Sequence, residues 1–308
     1  MFTTRTLEHC LACGGRALAR LPMRYEFRGQ SFPAAECREC GMRFLSVQPS
    51  GDSLTSLYSA EYFAGDFRCG RAQAHSFDAA AFGEENRGLV DDFERIAPKG
   101  RLLEVGAAAG GLLKHAADRG WTVRGVELSP DAAGQARALG LDVIQGDLEG
   151  AHFPDAAFDL VYLGDVLEHV PDCRVVMTEI TRVLAPGGLL YLRGPTTTNS
   201  LARRLGLTLY GLLGRDIVLR EPPYHLWEFT PRSLSRLART CGLEVRAFRE
   251  SKIPPGRAHG EKSAAQRLAM GLVDTLNAPL TRAFNIFGDR GILLAQRPRW
   301  TSRKDLIA

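Results

Sequence analysis

Leu102-Leu103-Glu104-Val105-Gly106-Ala107-Ala108-Ala109-Gly110-Gly111-Leu112-Leu113 is an apolar run that ends in an acid, crosses a glycine-rich turn and opens an amphipathic segment. That order describes a buried strand feeding a helix through a turn that lets a ligand approach the backbone. Gly106 and Gly110 are expected to clear side chains from the place the ligand occupies. The N–H groups that open the following helix then point at its polar end. Many α/β chains carry such a turn, so its neighbours decide what it holds.

The same alternation continues downstream. A helix over 110–119 closes at Gly120, and Trp121 to Glu127 reads as a second strand that again ends in an acid. Ser129 caps and Pro130 opens the next helix, which Gly140 closes. Leu141 to Gln145 is a short third strand before Gly146-Asp147-Leu148, and Ala157 to Leu163 is a fourth before Gly164-Asp165. A helix over 171–184 and the turn Pro186-Gly187-Gly188 lead into a fifth strand, Leu189 to Leu192. Leu243 to Phe248 and Gly291 to Gln296 read as an antiparallel edge pair. This pattern predicts an α/β fold: a doubly wound, mostly parallel sheet of seven strands. Such sheets bind ligands at the carboxyl ends of their strands, at the topological switch point. Glu104, Glu127, Asp147 and Asp165 all stand at such ends.

The N-terminal region has a different character. Cys10-Leu11-Ala12-Cys13-Gly14-Gly15 and Cys37-Arg38-Glu39-Cys40-Gly41-Met42 are two knuckles, each followed by a glycine that permits a tight turn. Two knuckles on facing hairpins supply the four thiolates of a tetrahedral Zn²⁺. The 23 residues between them hold candidate strands at Leu18 to Leu21 and Gly29 to Ala35. So small a module has too little core to fold alone, and the metal is expected to supply stability. Cys69, Cys173 and Cys241 are isolated and read as inert thiols or small apolar residues.

Across 308 residues, 45% hydrophobic and 24% charged, the composition allows a sizeable core. A net charge of +4 without a basic block gives no case for nucleic acid. Neither a signal-peptide core nor an 18-residue apolar run is found, so a cytoplasmic protein is the natural reading.

A dinucleotide site would want glycines at 106, 108 and 111, but position 108 is Ala108. Glu104 would also repel a pyrophosphate. S-adenosylmethionine carries a sulfonium, an ammonium and a ribose diol, and suits four acids better. On these residues, the stretch from Arg101 to Leu192 resembles the class I, Rossmann-like S-adenosylmethionine-dependent methyltransferases. Glu104, Gly106 and Gly110 match their first motif, with Ala108 replacing the usual middle glycine, and Pro186-Gly187-Gly188 matches the turn before their fifth strand. The resemblance implies that Glu127 takes the ribose hydroxyls. It implies that Asp147 accepts from the adenine amino group, with Leu148 covering the ring, and that Asp165 lies near the methionine end. The implied cofactor set is Glu104, Gly106, Gly110, Glu127, Leu128, Asp147, Leu148, Asp165 and Tyr62.

The ribbon, the aromatic segment around Leu57-Tyr58 and Tyr62-Phe63, and Tyr224-His225-Leu226-Trp227-Glu228-Phe229 narrow the resemblance. Together they are similar to zinc-ribbon methyltransferases linked with sugar, cell-surface glycan or natural-product pathways. The sugar C-methyltransferases among these carry a further C-terminal domain, for which this length leaves no room. The division is then a zinc ribbon over 1–50, an aromatic-rich bridge or lid over 51–98, and a methyltransferase core over 99–308 with a cap insertion at about 199–229. Tyr58 and Tyr62 serve either as packing between the parts or as a lid.

Leu201, Leu205, Leu207, Leu209, Leu212 and Leu213 mix with Arg203, Arg204 and Arg215, which reads as a cap over a substrate pocket or as peripheral membrane contact through 199–219. Leu268, Leu272, Leu276 and Leu280 form a helical stripe for the core or for a homodimer. Methyl transfer depends mostly on holding donor and acceptor together, and an oxygen or carbon acceptor also benefits from a base. His225 and His169 are the candidates, beside transfer with no base at all. The expected substrate is a small molecule, sugar or glycan precursor. The alternatives are a nucleic-acid methyltransferase that binds through the ribbon, or a non-catalytic cofactor-binding scaffold.

Overall fold

A computed structural model describes residues 2–58, 83–252 and 277–299, together with Val273 and Thr275. Tyr62, Phe63 and Cys69 lie outside the described residues, as do Leu268, Leu272 and Leu276 of the leucine stripe.

The N-terminal part contributes β1 (Thr4–Thr6), β2 (Leu18–Phe27), β3 (Gln30–Cys37), β4 (Arg43–Leu45), β5 (Val47–Pro49) and a one-turn helix α1 (Asp52–Thr55). The α/β part follows: α2 (Gly83–Ile96), β6 (Arg101–Val105), α3 (Gly111–Asp118), β7 (Thr122–Glu127), α4 (Pro130–Ala138), β8 (Val143–Gln145), β9 (Phe158–Gly164), α5 (Cys173–Val183) and β10 (Leu184–Pro195). After it come α6 (Leu201–Leu212), β11 (Ile217–Leu219), β12 (Trp227–Glu228), α7 (Pro231–Thr240), β13 (Glu244–Ser251) and β14 (Arg290–Gln296).

The large sheet has seven strands in the order β13-β14-β10-β9-β6-β7-β8. All neighbours from β10 to β8 run parallel, and β14 runs antiparallel to both β10 and β13. Strands buried on both faces read as continuous apolar runs, and β9 and β6 show why. Leu102, Leu160 and Tyr162 face the helices α2, α3 and α4. Leu103, Val161 and Leu163 face the opposite side, where α5 and α7 pack. On α5 the buried residues Cys173, Val176, Met177, Ile180 and Val183 form a single stripe, and Asp172 caps its start. A capping box of Thr230 and Ser233, with Pro231 next, sets the start of α7. The fifth strand is longer than its sequence pattern: Pro186-Gly187-Gly188 lies inside β10, as an irregularity between Leu184 and Leu189.

The ribbon is not a separate bead. A five-stranded sheet in the order β11-β2-β3-β4-β12 takes its two outer strands from residues 217–219 and 227–228. Its apolar residues, among them Met23, Phe32, Phe44 and Leu45, are continuous with the α5 and α7 side of the core. Trp227 is buried against Phe44, with ring centroids 5.9 Å apart. Helix α6 packs Leu207 inward, and Leu205, Leu209, Leu212 and Leu213 stay exposed. Among the described residues no helix is long and apolar enough to cross a membrane.

Where β11 joins β2, Asp216 sits between Arg24 (2.7 Å) and Arg20. Burial alone would raise the Asp216 carboxyl, but the hydrogen bonds from Arg24 and Arg20 outweigh it and hold it below the usual carboxylate value. A depressed folded value means that the group stabilises the fold above its unfolded pKa of about 4, and that this contribution fades as pH falls through the folded value. Asp216→Asn should therefore lower unfolding free energy by about 1–2 kcal/mol at pH 7. The gap to wild type should close in acid, and denaturant melts at pH 7 and pH 3 read this directly.

Candidate functional site

The sheet's sequence order reverses between β6 and β9, since β7 and β8 extend from one and β10 from the other. Parallel strands lie about 4.8 Å apart. The residues at the carboxyl ends therefore form a row in the order Asp165, Glu104, Glu127, Asp147, spanning roughly 14 Å. An elongated ligand with several polar groups matches such a row.

Each carboxylate is held differently. Glu127 is 7% exposed, and its two oxygens accept the N–H of Ala108 and of Ser129, each at 2.8 Å. It thus pins the glycine turn to the start of α4. A carboxylate offers about four acceptor sites, so both tethers leave room for ligand hydroxyls. Glu104 is also 7% exposed and lies in register with Tyr162 on β9. Asp147 is exposed, and its Oδ1 accepts the Gly150 N–H at 2.7 Å. Asp165 adopts φ +56° and accepts from Arg290 Nη2 on both oxygens, at 2.8 and 2.7 Å.

The structure changes the expected roles at two points. Gly106 (φ +78°) and Gly110 (φ +81°) are crowded by the protein itself. A Cβ at Gly106 would meet the Val166 methyl at 2.5 Å, and one at Gly110 would meet Leu141 at 2.5 Å and Ala136 at 2.9 Å. These glycines are required by protein packing and backbone conformation. Leu148, expected to cover a ring, is only 2% exposed and belongs to the core, whereas Leu128 beside Glu127 is 60% exposed. The missing glycine is also explained: Ala108 itself adopts φ +48°, in the left-handed region that glycine prefers.

Two cations escaped sequence reasoning. Arg290 on β14 and Arg193 on β10 are brought beside Asp165, and Arg193 Nη1 meets Glu85 Oε1 at 2.7 Å. Their partners are more than 90 residues away in sequence, so no local pattern reveals them. The Asp165 end of the row is consequently closer to neutral than a count of acids suggests.

Beyond Asp165 the chain runs through Glu168 and His169, and the 224–229 segment brings His225 alongside. The two imidazole rings are 5.0 Å apart, edge to face. His169 Nδ1 lies 3.0 Å from the Tyr224 carbonyl oxygen, and His225 Nδ1 lies 3.6 Å from Glu228 Oε1. Thr197 donates to the other Glu228 oxygen at 2.9 Å. Burial, reinforced by the Asp165 charge, raises the Glu168 carboxyl. Burial disfavours charge on His225, but Glu228 outweighs it and lifts the ring to about 9. A ring that holds its proton at neutral pH is a poor acceptor for another, which weakens the sequence-based expectation of His225 as a base. The cluster favours positive charge at that place.

The four knuckle cysteines converge on one point. Cys10 Sγ and Cys40 Sγ are 3.5 Å apart, and Cys13 Sγ and Cys37 Sγ are 3.7 Å apart. Four thiolates at about 2.3 Å around a tetrahedral zinc stand about 3.8 Å from one another, so this set fits the ion. Gly14 and Gly41, at φ +78° and +74°, turn each knuckle and donate back to the Cys10 and Cys37 carbonyls.

The family model described as a methyltransferase domain matches residues 79–247, more than half of the chain. The chain is 31% identical over 156 residues to the ubiquinone biosynthesis O-methyltransferase of Methylococcus capsulatus, covering 47% of this chain and 63% of that protein. It is 29% identical over 168 residues to the enzyme of the same name from Thiobacillus denitrificans, covering 51% and 69%. The matched region thus spans about two thirds of the length of these relatives. A solved S-adenosylmethionine-dependent methyltransferase from Mesorhizobium loti is 19% identical with a TM-score of 0.46, covering 67% of this chain and 96% of that one. By the match over 79–247, the chain belongs to the methyltransferase-domain family, the class I group that its glycine turn and strand-end acids resemble.

Proposed function

We propose that this protein transfers the methyl group of S-adenosylmethionine to a hydroxyl of a small molecule, with a structural zinc holding its N-terminal ribbon. The observation that carries the reading is the row Asp165, Glu104, Glu127, Asp147 across the switch point of a methyltransferase-family sheet. Glu127 at its centre suits the ribose diol, and Asp147 beside the exposed Leu128 suits the adenine end. The Asp165 end, flanked by Arg193 and Arg290, suits the zwitterionic methionine group, whose ammonium and carboxylate need partners of both signs. Oxygen as the acceptor atom draws on the named activity of the relatives, and sugars and glycan precursors fall within the same hydroxyl chemistry.

When bound, S-adenosylmethionine supplies an electrophilic methyl on a sulfonium leaving group. The protein contributes mainly position: rigid strand ends fix the donor, and the 224–229 segment borders the place an acceptor would enter. His225 is oriented by Glu228, and the Glu168 backbone carbonyl accepts the N–H groups of Leu226 and Trp227. The Cys10, Cys13, Cys37 and Cys40 thiols fit Zn²⁺ by distance and by donor chemistry.

Calorimetric titration should show S-adenosylmethionine binding and no NAD⁺ binding, and Glu127→Ala should weaken the former at least tenfold because it removes both the diol acceptor and the tether of the Ala108 turn. NAD⁺ binding without S-adenosylmethionine binding would overturn the reading. Ala108→Gly should raise stability by about 0.5–1 kcal/mol by relieving the left-handed alanine, with cofactor binding retained. Metal analysis of Cys37→Ser should find one zinc fewer per chain than wild type, and an unchanged zinc content would remove the ribbon metal.

A further inference from the structure

A cleft of about 310 Å³ lies between the ribbon sheet and α6, a size at the lower end of small-ligand pockets. Leu21, Pro22 and Leu207 supply its apolar lining. Arg20, Arg43 and Arg204 stand around it, with Glu36 as the one carboxylate in the lining. The three arginines come from β2, β4 and α6, so no single element's pattern brings them together. Three like charges around one concavity repel one another, and an anion placed among them relieves that repulsion.

The guanidinium groups are fixed in place, yet much of their donor capacity is unused. Arg43 is the most deeply set, with its side chain 13% exposed. Its Nε meets Glu36, its cross-strand neighbour, at 3.2 Å, and its Nη1 donates to the Thr198 carbonyl at 2.7 Å. Arg204 donates from Nε to the Asn199 carbonyl at 3.0 Å and from Nη2 to Asn199 Oδ1 at 2.6 Å. Its guanidinium carbon also stands 5.5 Å from the centre of the Phe287 ring. Arg20, which is exposed, is held by Asp216. An arginine carries five N–H donors, so among the described residues Arg43 and Arg204 each keep three without a protein acceptor. Donors already oriented by a first set of bonds lose little freedom when a ligand takes the rest. Forks that converge from three elements suit a tetrahedral oxyanion with several acceptor oxygens better than a planar carboxylate with two.

We propose that this cleft binds the phosphate group of a small organic phosphate, held by the unused N–H groups of Arg43 and Arg204, with Arg20 adding charge. Leu21 and Leu207 border the ligand's carbon skeleton. The site is separate from the strand-end row and does not depend on what that row holds. It lies against the turn that follows β10, because Arg43 and Arg204 bond the backbone oxygens of Thr198 and Asn199. Thr197 of the same turn holds Glu228. A phosphate that draws on both arginines therefore bears on the loop that borders the 224–229 segment.

Phenyl phosphate and inorganic phosphate are the probes, titrated by calorimetry into the full-length protein at low ionic strength, where charge pairs are least screened. Wild type should bind one phenyl phosphate per chain. Arg43→Gln and Arg204→Gln should each weaken binding at least tenfold, with near-UV circular dichroism matching wild type. Thr208→Glu, which sets a carboxylate in the lining from an exposed helix position, should do the same. If the Arg43 variant loses its near-UV signature, Thr208→Glu provides the readout in its place, because the Thr208 hydroxyl bonds within its own helix. Arg232→Gln removes an exposed arginine of α7 outside the cleft and should leave the affinity unchanged. Absence of saturable binding to wild type would overturn the proposal, as would Thr208→Glu protein that binds with wild-type affinity. An equal loss in Arg232→Gln would overturn it too, by reducing the effect to net charge. So would binding to phosphatidylglycerol vesicles without binding to either soluble probe, which would assign the arginines to a lipid surface. S-adenosylmethionine should bind all of these proteins alike, so failure of the methyltransferase reading and failure of the phosphate site are read separately.

Discussion

The residues from Leu226 to Glu228 tie two bodies together with one stretch of backbone. On one side Leu45 donates to the Leu226 carbonyl, and Trp227 and Glu228 pair with Phe44 and Arg43 of β4. On the other side the N–H groups of Leu226 and Trp227 point at the Glu168 carbonyl, and the Trp227 indole donates to Val170 at 2.7 Å. Buried backbone groups must find partners, and here the partners come half from the ribbon and half from the loop after β9. A buried tryptophan adds roughly 4–6 kcal/mol of apolar burial as an upper bound. The ribbon is therefore a structural wall of the site: its sheet sets where Tyr224 and His225 stand, and through them the far end of the donor row.

Charge is graded along that row. Asp147 is exposed and accepts one backbone N–H, and Glu127 is engaged with two. At the other end Asp165 is matched by Arg290, and Glu85 by Arg193. Past it, Glu168, Glu228 and two histidines concentrate negative charge and soft nitrogen donors within a few ångströms. A ligand lying along the row meets carboxylate acceptors first, then a mixed pair of signs, then the Glu168, His169, His225 and Glu228 cluster. This order follows the polarity of a nucleoside joined to an amino acid.

The strand-end acids and the alternating elements were legible because each depends on a pattern within about ten residues. The apolar runs of β6 and β9, the Ser129 and Thr230 caps and the two cysteine knuckles all carry their meaning locally. The seven-stranded, mostly parallel sheet and the family resemblance followed from those patterns. What the sequence concealed depends on long-range placement. Arg290 and Arg193 join Asp165 only after the sheet forms, and the short strands β11 and β12 have no alternation long enough to betray their pairing with β2 and β4. Leu148 and Leu128 look alike as residues that follow an acid, and only burial separates them. The crowding of Gly106 and Gly110 by Val166, Leu141 and Ala136 is likewise visible only once distant residues have packed.

The composition of the ribbon sheet also bears on how the chain is made. Residues 18–45 leave the ribosome early, but β11 begins at residue 217, 190 positions beyond the end of β2. At typical synthesis rates of about 5–20 residues per second, the sheet waits roughly 10–40 s for its outer strands. During that interval both flanks of the β2–β3–β4 hairpins present open backbone edges, the surface most prone to wrong pairing. Capture of an ion by the cysteine knuckles needs only the first 40 residues, so early metal loading would hold the nascent hairpins in register until Ile217 and Trp227 arrive to close them.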